Sequence, residues 1–215
     1  MENTELTIIT DNFKDVGIEM SEVVLDSFLK DGLLKEIPGI NLLLAFFKTG
    51  KQMMDYAYKK KLAAFINGYA SLPKRTVKRV EKAIEDPAKL RDLGDDLLLI
   101  LDKADKIVKA ELIGKVFKMF WFGDISSSTF FRLCHMINRS FYDDLLFLTK
   151  FTDAKTVITS FSDIIDDTIL DELFSAGWLS NLGIDGGTFD GKDSGTRYGL
   201  NSYGEIIIGL LAKGE

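Results

Sequence analysis

The sequence predicts a mainly α fold: a multi-helix N-terminal body followed by a small C-terminal α+β module. Two observations carry this. Up to Phe151, apolar residues recur at spacings of three and four between recognisable caps, which is the period of an α-helix packed on one side. After Phe151 glycine becomes frequent, β-compatible residues appear and short elements replace long ones, so the expected domains are 1–151 and 152–215.

The helices come in order with their punctuation. Ser21 precedes the amphipathic run Glu22 to Lys30, and Gly32 follows it, giving an N-cap and a left-handed stop. Pro38 opens a longer segment in which Leu43, Phe46, Phe47, Met54, Ala57, Tyr58, Leu62, Phe65, Ile66 and Tyr69 keep helical spacing, with Gly50 as a point of bending. Pro73 starts a short basic helix that buries Val77, Val80 and Ile84. Asp86 and Pro87 cap the next, which runs through Leu90, Leu93, Leu97, Leu98 and Leu101. From Ala104 to Phe122 the apolar set is Ile107, Val108, Leu112, Ile113, Val116, Phe117 and Phe120, and Gly123 ends it. Ser126 to Ser128 cap a further helix, apolar on more than one side from Phe130 to Leu148, so a helical hairpin around Gly123 is expected.

In the C-terminal part, Asp166 and Asp167 cap a helix through Ile169, Leu170, Leu173 and Phe174, closed by Gly177. Trp178 and Leu179 begin an extended segment. A glycine-rich turn at 190–195 leads into a second extended run, Thr196 to Leu200, and Asn201 or Ser202 caps a last apolar helix.

Composition limits the function classes. The chain has 215 residues and is 46% hydrophobic, enough for a packed core without staples. Its single cysteine, Cys134, excludes an internal disulfide framework and points to a reducing compartment. Acids between Met1 and Asp15 stand where a secretory signal would carry a basic start and an apolar centre, so the expected location is cytoplasmic. The longest apolar run, Ile37 to Phe47, falls well short of the ~20 residues that span a bilayer.

Charge is segregated. Lys48 to Ile84 holds ten Lys or Arg against Asp55 and Glu81, although the chain as a whole carries a net charge of −6. Such a stretch is either a solvated helix face or a dock for an acidic or phosphate-bearing partner. Lys59, Lys60, Lys61, Lys74, Arg75, Lys78 and Arg79 form the candidate basic face, with Tyr56, Tyr58 and Tyr69 interleaved as platforms for bases.

Helix, Gly177-Trp178-Leu179, hairpin and then Arg197-Tyr198-Gly199-Leu200-Asn201-Ser202-Tyr203-Gly204-Glu205 resembles the C-terminal half of bacterial winged-helix domains. The resemblance implies binding of DNA, RNA or protein, or dimerisation, with Lys192 and Arg197 on the wing. Against DNA stand Asp166, Asp167, Asp171 and Glu172, which would repel phosphate on the helix meant for the major groove. Ile37-Pro38-Gly39-Ile40 followed by Lys59-Lys60-Lys61 is similar, more loosely, to bacterial and phage-encoded helical proteins, and implies a setting of abortive infection, phage defence or counter-defence.

No catalytic constellation is expected. His135 adjoins Cys134, but consecutive helical residues point about 100° apart and cannot grip one reacting atom, and no second Cys or His completes a zinc site. The pairs Asp95-Asp96, Asp143-Asp144 and Asp166-Asp167 suit helix starts and solvated faces. Residues 185–193 fit neither a calcium loop nor a P-loop, and read as a hairpin tip. The expected function is therefore that of a non-catalytic interaction protein without metal or cofactor. Its partner would be another protein or a second copy; nucleic acid on the basic stretch, or an anionic membrane at Ile40 to Phe47, are the alternatives.

Overall fold

The computed structural model describes residues 56–72, 87–151, 157–159, 167–186 and 195–211. The expected helices before residue 56 and at 73–84 lie outside the described residues. The chain divides into two compact units, Met1–Cys134 and His135–Glu215, upstream of the change of texture at Phe151. Seven α-helices and a three-stranded antiparallel sheet make up the described residues, so the fold is mainly α with a small α+β part.

In the first unit, α1 (Tyr56–Ser71) packs along α3 (Ile107–Trp121). Leu62, Phe65, Ile66 and Tyr69 keep the spacing of one helical stripe and are buried, as are Ile113, Val116, Phe117 and Phe120 opposite them. Two glycines set the distance of closest approach. A Cβ on Gly68 would stand 1.9 Å from the carbonyl oxygen of Glu111, and one on Gly114 would stand 2.0 Å from that of Phe65. Each helix thus presses its backbone into the gap left by the other's missing side chain. Phe117 is the centre of an aromatic cluster, with ring centroids 5.4 Å from Phe65, 5.7 Å from Phe130 and 5.8 Å from Trp121. Tilted and edge-on pairs of this kind add about 0.5–1.5 kcal/mol each beyond area burial.

The turn expected at Gly123 is present between two helices. Gly123 takes φ 77°, Gly123 N–H donates to the Phe120 carbonyl and Asp124 N–H to that of Met119, which stops α3 and turns the chain. Ser126 Oγ then accepts the Thr129 N–H at 3.1 Å and caps α4 (Ser127–Arg139). Two details depart from the spacing argument. Ile107 and Val108, expected in the core, are 45% and 39% exposed at the start of α3, while Lys109, Lys115 and Lys118 on the same helix are buried. Lysine can do this because its aliphatic stem packs on apolar neighbours and its head finds a partner. Lys109 reaches Asp105 at 2.6 Å, Lys115 reaches Glu111 at 3.4 Å, and Lys118 donates to the Leu72 carbonyl beneath the Tyr69 ring.

The Asp105–Lys109 pair has a readable pH signature. Burial raises the Asp105 carboxyl, but the Lys109 ammonium and the backbone N–H groups of residues 105 and 106 outweigh it, leaving the group below its ordinary value. A depressed folded value means stabilisation that is complete above the unfolded carboxylate range and lost as pH falls through the folded value. Asp105→Asn should therefore flatten the acid limb of stability below about pH 4, as urea midpoints across a pH series would report. Because Asp105 is 56% exposed, the effect is held to about 0.5 kcal/mol.

The apolar run Phe130 to Leu148 is divided into α4, α5 (Tyr142–Phe147) and a short 3-10 helix (Leu148–Lys150), where one helix was expected. The break falls at Ser140, whose Oγ donates to the Met136 carbonyl at 2.8 Å and accepts the Trp178 indole N–H at 2.7 Å, and Phe141 is extended. Next come β1 (Val157–Thr159), α6 (Asp167–Ala176), β2 (Leu179–Asp185), β3 (Gly195–Leu200) and α7 (Ser202–Leu211). The sheet order is β1-β3-β2, so β3 is central. Strand β1 was not expected, because three residues are too few to express a period of two.

Two polar devices hold α6, the hairpin and α7 together. Gly177, at φ 96°, ends α6, and Trp178 N–H bonds back to the Leu173 carbonyl. Asn201 spans the next junction: its Oδ1 accepts the N–H groups of Tyr203 and Gly204, capping α7, while its Nδ2 donates to the carbonyls of Gly177 and Leu179.

Candidate docking surface

The basic stretch is committed to the fold where it is described. Lys61 Nζ donates to the Asp102 carbonyl at 2.7 Å, a cation on the last turn of α2 (Pro87–Lys103), where the helix dipole favours it. Lys60 Nζ sits 4.5 Å from the Tyr56 ring centroid, and Lys59 and Lys60 are half-buried. Of the three tyrosines read as base platforms, Tyr69 is core, and burial pushes its hydroxyl up. Tyr58 donates to the Leu98 carbonyl at 3.2 Å, and burial, with Asp102 beside it, raises its hydroxyl to about 12. Tyr56 is 36% exposed, with Lys60 over its ring. Lys74, Arg75, Lys78, Arg79 and Lys192 lie outside the described residues.

The remaining candidates occupy ordinary structural positions. Cys134 is fully buried and burial pushes its thiol up, whereas His135 is exposed, so the two do not meet. Asp95 and Asp96 are exposed on α2, Asp143 and Asp144 occupy the first turn of α5, and Asp167 begins α6. Among the described residues no group of three His, Cys, Asp or Glu could hold a metal ion. No helix among them is long and apolar enough to cross a membrane.

A different surface emerges on the second unit, built from α6 and the β2–β3 hairpin. The Tyr198 hydroxyl donates to Asp171 Oδ1 at 2.6 Å, and its ring lies 5.7 Å from that of Phe174, which seats α6 on one face of the sheet. Residues paired across strands share a face. Tyr198 pairs with Asn181, and two residues along β3 Thr196 pairs with Ile184, so Ile184 lies on the face that carries Tyr198. On this side Phe174 is 42% and Ile184 82% exposed, whereas Leu182, 50% exposed, stands opposite Arg197 in the register shift. On the helix, exposed Asp171 stands one turn before Phe174, while exposed Glu172, two positions before it, points to the other side of α6. Arg197 points to the opposite face of β3, away from this surface.

The sequence reading passed over Leu182 and Ile184. The signal that could have found them is Leu179-Ser180-Asn181-Leu182-Gly183-Ile184, in which strict alternation fails after Asn181. A register shift between Asn181 and Ile184, with Gly183 at φ 100°, absorbs the extra residue. No family model, curated protein or solved structure matches the chain.

Proposed function

We propose that this chain is a non-catalytic interaction protein that docks another protein on the α6 and hairpin surface of its C-terminal unit. The observation that carries the reading is Ile184, which leaves 82% of its surface in water on the sheet face against which α6 and its exposed Phe174 are seated. A singly exposed apolar residue is ordinary, but Ile184 and Phe174 share one face of the sheet, and such a pair supports a contact surface.

The helix, strand, helix, hairpin order and the β1-β3-β2 sheet support a winged-helix-like module. Its chemistry favours protein over DNA. A wing that grips phosphate presents cations, and the described part of this hairpin presents Arg197 alone beside exposed Leu182 and Ile184. The helix that would enter a groove presents Asp171 and Glu172. A reducing, cytoplasmic setting suits a chain whose single cysteine is buried.

A photo-reactive residue placed at Ile184, in the cells that make the protein, should yield a discrete protein adduct that is lost when Phe174→Asp is added. The same probe at Ser128 on α4 is the control. Absence of an adduct at Ile184, together with salt-sensitive binding of a DNA or RNA probe that Lys59→Glu and Lys60→Glu abolish, would replace this reading with nucleic-acid binding.

A further inference from the structure

We infer that the protein docked on this surface inserts an arginine side chain at Asp171, between Phe174 and Ile184, an inference that rests on the docking reading above. Tyr198 assembles the place. Its hydroxyl donates to Asp171 Oδ1 at 2.6 Å and its ring lies 5.7 Å from that of Phe174, so one side chain positions both a carboxylate and an aromatic ring. Asp171 and Phe174 are three residues apart on one helix and share its side.

Ile184 stands at the other end of the row. α6 and β2 pack together and are joined through Gly177 and Trp178 alone, so they run antiparallel, and moving away from that turn along β2 means moving back along α6. Tyr198, level with Asp171 and Phe174, pairs with Asn181, whereas Ile184 pairs with Thr196, two residues away along β3. That step is about 7 Å, a little more than one helical turn. Ile184 therefore stands near the first turn of α6, on the side of Asp171 away from Phe174. The carboxylate is flanked by two apolar side chains, 42% and 82% exposed.

Such a row selects its occupant by charge. Asp171 is exposed, and among the described residues it makes no ion pair. Arg197 points to the other face of β3, and Arg139 donates to Ser175 Oγ at 3.0 Å. A carboxylate held by a neutral hydroxyl between apolar groups accepts a cation and rejects an anion. No group of three acidic, His or Cys residues that could hold a metal ion occurs among the described residues, so the cation is a side chain of the partner. Arginine suits the row better than lysine. Its guanidinium edge pairs with a carboxylate through two parallel bonds while its plane stacks on an aromatic ring, and it gives up water more readily than an ammonium does.

The test uses the full chain, methyl-labelled at isoleucine, and three short peptides with leucines on both sides of a central arginine, lysine or citrulline. Citrulline keeps the shape of arginine without its charge. In NMR titrations the Ile184 methyl, identified by its loss in Ile184→Val, should respond to the arginine peptide at concentrations at least ~10-fold lower than to the citrulline peptide, and several-fold lower than to the lysine peptide. Asp171→Asn, whose amide oxygen still accepts the Tyr198 hydroxyl, should make the arginine and citrulline peptides bind alike. Glu172→Gln, on the other side of α6, should leave their ~10-fold gap intact. An Ile184 methyl that responds alike to arginine and citrulline in the wild type would overturn the arginine and leave the docking surface standing. A gap that survives Asp171→Asn, or that Glu172→Gln removes as fully, would overturn it by showing diffuse attraction in place of this carboxylate. So would the absence of any response up to roughly 1 mM peptide. The docking reading is judged separately, by the Ile184 adduct.

Discussion

Gly114→Ala should cost the N-terminal unit at least ~3 kcal/mol, a large share of the stability of an ordinary domain. The added methyl would stand 2.0 Å from the Phe65 carbonyl oxygen, 2.8 Å from its carbon and 3.0 Å from the Tyr69 nitrogen. All three belong to the backbone of α1, so no rotamer change can relieve the overlap. Relief requires α1 and α3 to separate by about 1 Å, which strips contacts from Leu62, Phe65, Ile113 and Phe117 along the whole crossing. Gly68→Ala should behave alike, since its methyl would meet the Glu111 carbonyl at 1.9 Å. The double variant should cost less than the sum, because one separation relieves both overlaps. Gly209→Ala supplies the contrast: on α7, exposed and with nothing within 4 Å of the added atom, it should stabilise by up to ~1 kcal/mol through helix propensity. Urea midpoints of the wild type and the four variants decide the matter. A Gly114→Ala chain that unfolds with the wild-type midpoint would mean that these helices do not cross at their glycines.

That crossing was invisible in the sequence, and the reason is physical. Apolar period and caps report what one element does locally, so α2, α3, the Gly123 turn, α6 with its Gly177 stop and α7 with its Asn201 cap could all be read in advance. A glycine inside a helix carries no period, and only the partner helix reveals whether its missing side chain is used. Ser140 is a similar case. Its place in an apolar run predicted one helix, but a distant indole competes for its hydroxyl and the chain breaks there.

The candidate site was legible only in its negative part. Asp171 and Glu172 argued against DNA from the sequence, and both are exposed on α6. The positive part needed the sheet. Register alone places Ile184 on the face of Tyr198, and a bulge two residues earlier hides that placement from any alternation rule. Of the basic stretch, only Lys59, Lys60 and Lys61 of the candidate face fall among the described residues, and there Lys61 closes the end of α2 while Tyr69 fills the core.

Trp178 is the position at which the C-terminal unit is most exposed to a single substitution. Its side chain is fully buried, its backbone follows the α6 stop, and its indole N–H closes a relay through Ser140 to the Met136 carbonyl. Trp178→Ala should cost about 3–5 kcal/mol, from lost burial and the cavity left behind. Ser140→Ala removes far less volume, yet it should cost about 1–3 kcal/mol, because a buried indole donor is left without its acceptor. The polar part separates cleanly from the packing part in a double-mutant cycle. In a Trp178→Phe background the donor is gone, so adding Ser140→Ala should cost only a few tenths of a kcal/mol. Calorimetric or urea unfolding of the wild type and the three variants gives the coupling directly. Equal costs for Ser140→Ala in both backgrounds would show that the serine acts through its bond to α4 alone, and that the indole N–H contributes nothing to holding β2 against the end of that helix.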